Sequence, residues 1–201
     1  KRLGNPPVMA CTATATPAVA SEVARRLRLR DPLFVHGGFD RPNISFDVFS
    51  LSGKGSVARK HQILQSGLAI EENLPAIVYC GTRKDTDAVE AHLRAASLSV
   101  TSYHAGMSAE KRAQAQEAFM SGKKDIIVAT NAFGMGVDKA DVRSVWHWAL
   151  PTSLEALYQE AGRAGRDGKP ARAVLLAMRQ DLGRLIYFNK NRSTTPEKVA
   201  S

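Results

Sequence analysis

From residue 57 onward the chain repeats one pattern: a short, almost unbroken apolar run and then a polar residue suited to start a helix. Ala76-Ile77-Val78-Tyr79-Cys80 is apolar throughout, and Asp125 to Thr130, Val142 to Leu150 and Ala171 to Met178 are nearly so, with a shorter run at 99–103. A strand with one wet face alternates apolar and polar residues; one buried on both faces does not. Runs this short are far below the length that crosses a bilayer. Strands of this kind alternating with helices predict an α/β domain, a parallel sheet with helices on both faces.

The helix starts carry their own signals. A helical stretch over 57–70 precedes Pro75, and Thr82-x-x-Asp85 is a variant capping box opening a helix to about Ala96. Ser108 caps a helix to about Met120, and Thr152-x-x-Glu155 is a capping box placing a helix start near Ser153. Upstream, Thr16-Pro17 reads as an N-cap followed by proline at the first helical position, with Val19, Val23 and Leu27 on one face. Asp31-Pro32 ends that helix, and the Gly/Pro-containing stretch around 30–43 is taken as a domain boundary. After Met178 one more helix is expected, and Ser193 to Ser201 is a polar tail.

The net charge of +9 is uneven: residues 1–30 carry +5, 31–152 sum to zero and 153–192 carry +4. A basic balance makes nucleic acid a candidate partner, and two charged ends argue against one continuous basic track. Two cysteines, Cys11 and Cys80, make neither a disulfide scaffold nor a four-cysteine zinc site. With no charged-then-apolar leader, a reduced intracellular setting fits, with no membrane partner. No two of the five histidines have i, i+3 or i+4 spacing, so no metal site is expected. Trp146 and Trp148 share a strand face, which reads as core rather than a stacking surface for bases.

Chemistry concentrates in Gln159-Glu-Ala-Gly-Arg163-Ala-Gly-Arg166-Asp-Gly168. On one continuous helix Gln159, Arg163 and Arg166 fall within roughly 60° of arc, opposite Leu154, Leu157, Tyr158 and Ala161. Gly162 and Gly165 keep the nearby surface low, and paired guanidiniums suit phosphate oxygens. Upstream, a strand ending at Thr130 runs into Phe133-Gly134-Met-Gly136-Val-Asp138, where backbone N–H groups can meet phosphate or sugar. Taken alone, the arginine segment is more simply a Gly-rich helix end with two solvated arginines, and a Gly-x-Gly is common in the loops of α/β proteins.

Together the two segments resemble motifs V and VI of superfamily 2 helicases, and their spelling is similar to the RecQ family. Phe39-Asp-Arg-Pro-Asn43, Ile77-Val-Tyr-Cys80 with Arg83, Tyr103-His-Ala-Gly106 and Ala10-Cys-Thr12-Ala-Thr14-Ala match that family in the same order, over residues 8–180. The resemblance implies a second RecA-like helicase domain over 37–192, preceded in 1–36 by the last strand and helix of a first one. It implies part of an ATP-dependent 3′–5′ DNA helicase, with single-stranded and duplex DNA as partners and ATP with Mg²⁺ bound mainly by the first domain. By the same resemblance Arg166 is the arginine finger and Arg163 its assistant. Gln159, Asp138 and Gly136 face the nucleotide, and Thr12 and Thr14 couple hydrolysis to movement. Thr82, Arg83, His104, Thr130 and Asn131 line the single-strand track, although a packed strand-end histidine explains His104 equally well.

This chain contains no Gly-x₄-Gly-Lys-Ser/Thr and no Asp-Glu-x-His, and Ser52-Gly-Lys-Gly-Ser56 has the wrong order. No four-cysteine zinc module is present in it. The 201-residue polypeptide alone is therefore expected to be inactive. Two other readings stay open here: a nucleic-acid-binding module without catalysis, and a core domain of another superfamily 2 RNA helicase or translocase.

Overall fold

The computed structural model describes residues 6–12, 17–35, 41–134, 137–178, 181 and 183. The chain divides into two units, Lys1–Asp40 and Arg41–Ser201. In the first, α1 (Pro17–Arg26) buries no residue, and Glu22 pairs with Arg25 at 2.7 Å and Arg26 at 2.6 Å. Those guanidiniums hold the Glu22 carboxyl below its ordinary range. The strand expected within 1–36 is absent from its described residues, where the apolar run Val8–Cys11 forms none. A strand exists by its ladder to a neighbour, and the described residues of this unit supply none. Thr16 lies outside the described residues.

The second unit is built on six parallel strands: β1 (Ile44–Leu51), β2 (Ala76–Tyr79), β3 (Val100–Tyr103), β4 (Ile126–Ala129), β5 (Ser144–His147) and β6 (Ala171–Met178). Their spatial order is β1-β6-β5-β2-β4-β3, with Ala76 opposite both Ile126 and Ser144. The helices are α2 (Ser56–Leu68), α3 (Arg83–Ala95), α4 (Ala109–Met120) and α5 (Leu154–Ala161).

Period-two alternation sorts the buried runs onto two faces. Ala76, Val78, Ile126, Val128 and Trp146 pack with Leu64 and Leu68 of α2 and Val89 and Leu93 of α3. Ile77, Tyr79, Ile127, Ala129 and Val145 pack with Phe119 of α4 and Ala161 of α5. The sheet is therefore covered on both sides, as an apolar run in a central strand requires. Trp146 and Trp148 are both buried in the first of these layers, as core residues.

Lys60 of α2 is buried beneath the strand ends of that layer. Its Nζ lies 4.7 Å from the centre of the Trp148 ring and 3.8 Å from Asp181 Oδ2. The same Asp181 oxygen accepts the Met178 N–H at 2.9 Å, closing the end of β6. Asp181→Ala removes a buried ion pair and the bond that closes β6 together, and should cost about 3 kcal/mol in a urea unfolding measurement at pH 7.

Three helix starts use side-chain caps. Thr82 Oγ1 accepts from Asp85 N at 3.1 Å, Ser108 Oγ from Lys111 N at 3.2 Å and Ser153 Oγ from Ala156 N at 3.1 Å. The third differs from the expected capping box: Ser153, not Thr152, is the N-cap. Glu155 consequently sits in the first turn, its carboxyl held below its ordinary value by hydrogen bonds from its own backbone and from Ser153. Ser153→Ala should lose about 1 kcal/mol of stability and Thr152→Ala almost nothing, by urea midpoint.

Candidate functional site

Six parallel strands place all their carboxyl ends on one edge, where open α/β sheets bind ligands. Thr82 and Arg83 follow β2, His104 follows β3, and Thr130 and Asn131 follow β4, so the five track candidates share that edge. They are not equally available. The Thr82 hydroxyl donates to Asp85 Oδ2 at 2.8 Å while capping α3. His104 is buried to 9% exposure, with Nε2 2.9 Å from Asp87 Oδ1 and Nδ1 accepting from Gly106 N at 3.2 Å. Those contacts assign the proton to Nε2 and use both ring nitrogens. Arg83 and Asn131 are exposed, and Arg83 Cδ and Nη1 lie over Gly106, 3.0 Å from where a Cβ would stand. Thr130 is half-buried; its N–H donates to Tyr103 O at 3.2 Å, joining the ends of β3 and β4.

The arginine segment differs from the expected helix. α5 ends at Ala161 with Gly162 as its C-cap, and 162–168 form turns. Gly165 takes φ +56°, a left-handed conformation that ends helices. Arg163 and Arg166 are thus carried by a turn and share no helical arc with Gln159, which is exposed in the last turn of α5. Leu154, expected in the core, is 72% exposed.

Each arginine reaches back to the stretch after β4. Arg163 Nη1 donates to Gly134 O at 2.6 Å, and its guanidinium lies so close that a Cβ at Gly134 would stand 2.5 Å from Nη2. Arg163 Nε is buried without a hydrogen-bond partner. Arg166 Nη1 donates to Val137 O at 3.2 Å and to Asp138 Oδ1 at 2.7 Å. Gly136 lies outside the described residues, as does Thr14; Thr12 is exposed in the first unit.

Beneath this layer, Tyr79 OH donates to Phe133 O at 3.0 Å, and the ring stacks on His147 at 5.9 Å. Burial pushes the Tyr79 phenol up, against the pull of Arg163, so it stays a neutral donor. His147 Nε2 meets Glu160 Oε2 of α5 at 3.0 Å, tying the sheet to the helix that leads into the arginine turn.

Sequence reasoning did not assign roles to Arg41 and Asn43. Arg41 donates to the carbonyls of Gly162, Ala164 and Gly165, each at 3.1 Å. Asn43 Nδ2 donates to Gly165 O at 2.8 Å and Lys169 O at 2.9 Å. Arg143 braces the far side of the turn through Asp167 at 2.6 Å, which holds that carboxyl below its usual range. The available signal was the Phe39-Asp-Arg-Pro-Asn43 string, which matches the RecQ family in sequence but assigns neither residue a role.

The donor set fits the phosphate end of a nucleotide: two guanidiniums on one turn, one with an unpartnered buried Nε–H. Among the described residues no group of three or more His, Cys, Asp or Glu side chains is placed to hold a metal ion.

Residues 59–168 match the helicase conserved C-terminal domain. The chain belongs to that family. It is 38% identical over 199 residues to the RecQ-like DNA helicase blm-1 of Caenorhabditis elegans, covering 97% of this chain and 20% of that protein. The ATP-dependent DNA helicase RecQ of Bacillus subtilis is 38% identical over 177 residues, covering 88% of this chain and 29% of that one. Its counterpart in Pasteurella multocida is 40% identical over 169 residues, 84% of this chain and 26% of the relative. These identities make the helicase domain a RecQ-type member of superfamily 2. The chain spans between a fifth and a third of the length of these relatives.

Among solved structures, a DEAD box protein from Methanococcus jannaschii aligns with TM-score 0.64 at 22% identity, over 90% of this chain and 48% of that one. The C-terminal domain of the DEAD-box protein Dbp5 aligns with TM-score 0.58 at 18% identity, over 76% of this chain and 89% of that domain. Both show the fold, which is RecA-like. No helix among the described residues is long and apolar enough to cross a membrane.

Proposed function

We propose that the chain is the second half of the core of an ATP-dependent 3′–5′ DNA helicase. Residues 1–36 belong to the first core domain and 37–192 form the second, with a short tail over 193–201. The observation that carries this reading is the bond between the arginine turn and the stretch after β4. Arg163 holds Gly134 and Arg166 holds Asp138, while Thr130 and Asn131 begin that same stretch on the strand-end edge. A phosphate-facing element and a nucleic-acid edge thereby form one connected piece.

Nucleotide, when bound in the full enzyme, supplies the phosphoryl group that water removes. Arg166 donates to the charge that develops there, and Arg163, anchored on Gly134, orients the turn that carries it. Gln159, Asp138 and Gly136 contribute to nucleotide binding. Thr12 and Thr14 belong to the coupling segment of the first domain. Along the strand ends, exposed Arg83 and Asn131 supply side-chain contacts to backbone phosphates. Thr82, Thr130 and His104 shape the track, and such contacts position a strand without reading its sequence. Mg²⁺ is held by the first domain, DNA is the nucleic-acid partner, and in a bacterium the setting is the nucleoid-containing cytoplasm.

Unwinding by the intact protein tests this. A DNA duplex with a 3′ single-stranded tail should be opened, and one with only a 5′ tail, or an RNA duplex, should not. Efficient opening of RNA alone would replace the DNA assignment. The 201-residue chain by itself should release no phosphate from ATP; robust turnover by the pure chain would overturn the division of labour. Arg83→Ala should weaken single-strand binding by the intact protein and reduce the dependence of log K on log salt by about one unit.

A further inference from the structure

The carbonyl groups that bracket the two arginines are held by side chains from the other end of the domain. Helix ends leave carbonyls without intrahelical donors, and α5 runs straight into a turn rich in them. Arg41 takes those of Gly162 and Ala164, on either side of Arg163, and that of Gly165, immediately before Arg166. Asn43 takes Gly165 O as well and Lys169 O at the end of the turn. Across from them, Gly165 N donates to Val142 O at 2.8 Å and Asp167 N to Ala140 O at 3.2 Å. The turn is thus pinned from both sides.

The chemistry suits the task. A guanidinium presents five N–H donors in a rigid plane, enough to serve three carbonyls at once, and it has no acceptor to leave unsatisfied. Its positive charge also faces the negative end of α5. Arg41 is half-buried, and the structure divides into its two units immediately before it, between Asp40 and Arg41. The residue that opens the second unit is thus the one fastened to the arginine turn.

We propose that Arg41 and Asn43 are positioning residues for Arg163 and Arg166, so that the chain entering the domain sets where the two arginines stand. This rests on the reading of Arg166 as the group that stabilises the transferred phosphoryl. A displacement of about 1 Å costs a well-placed catalytic group about 10² in rate.

The test uses the intact helicase with saturating single-stranded DNA. Arg41→Ala should lower kcat for ATP about 100-fold, with KM for ATP little changed, and Arg41→Lys should recover only part of the loss. The double variant Arg41→Ala/Arg166→Ala should turn over no more slowly than Arg166→Ala alone, because the group that acts on the phosphoryl is already gone and Arg163 acts only through it. A purely structural role would instead add its full loss to the double variant, and that result overturns the proposal. Amide hydrogen exchange across 162–169 in the same variants is read independently of catalysis. Faster exchange in Arg41→Ala is expected; unchanged exchange overturns the brace itself. Wild-type turnover by Arg166→Ala, with exchange still accelerated in Arg41→Ala, would remove the finger and leave the brace. Where Arg41→Ala does not accumulate as folded protein, Arg41→Lys and Asn43→Ala carry both comparisons.

Discussion

Arg166→Ala in the intact helicase should reduce ATP turnover at least 1,000-fold while nucleotide binding changes little. An arginine finger stabilises charge that exists only in the transition state, an effect on the order of 10³–10⁵ in rate. That role requires a side chain whose present contacts are easily exchanged. Its partner Asp138 is 84% exposed, and ion pairs at such sites contribute about 0–1 kcal/mol, so exchanging that carboxylate for a phosphate oxygen costs little. Arg163 is the opposite case. It is wedged against Gly134 and bonded to a backbone carbonyl, and its replacement should lower stability together with turnover. Steady-state kinetics beside nucleotide titration separates the two arginines. An Arg166→Ala enzyme of undiminished kcat would end the assignment.

Gly165→Ala should destabilise the domain by about 2–4 kcal/mol and Gly168→Ala by about 1. Both glycines have positive φ, +56° and +80°, so both variants incur the left-handed strain of an L-residue. Only Gly165 also lacks room: a Cβ there would lie 2.5 Å from Asn43 Nδ2, 2.8 Å from Lys169 O and 2.9 Å from the Ala171 Cβ. At Gly168 nothing lies within 4 Å. Urea midpoints for the pair therefore divide conformational strain from overlap. Equal losses would show that the Asn43 contact yields easily and does not hold the turn.

Central strands were legible because burial on both faces writes itself into every residue, as in Ala76–Tyr79 and Ile126–Ala129. The caps at Thr82 and Ser108 were legible because the cap oxygen and the backbone N–H that donates to it lie three residues apart. Thr152 and Ser153 are both competent caps, and the choice falls to where α5 docks on the sheet, which no local pattern encodes. The helical wheel through Arg163 and Arg166 failed because Gly162 and Gly165 were read as a low helix surface, although glycine is equally the residue that ends one. His104 was rightly placed at a strand end, but its two hydrogen bonds depend on Asp87 and the Gly106 turn, visible only in three dimensions. Arg41 lay further still from local inference, its carbonyl partners standing more than 120 residues away. Val8–Cys11 carries the same apolar signal as a strand and is none, since the signal specifies burial and not a partner.

β1 is the first strand of its unit and pairs with β6, the last, from Ile44 opposite Ala171 to Leu51 opposite Met178. A ribosome therefore releases β1 long before its neighbour exists. Until residues 171–178 emerge, Phe46, Val48 and Phe49 lie beside an unpaired backbone edge, a template for aggregation or for recruiting a chaperone. Arg41 and Asn43 wait through the same interval for the carbonyls of 162–169. Both the closing of the sheet and the bracing of the arginine turn join the first residues of this unit to nearly the last. A translational pause placed before residue 171 should lower the yield of active enzyme more than an equal pause placed after it.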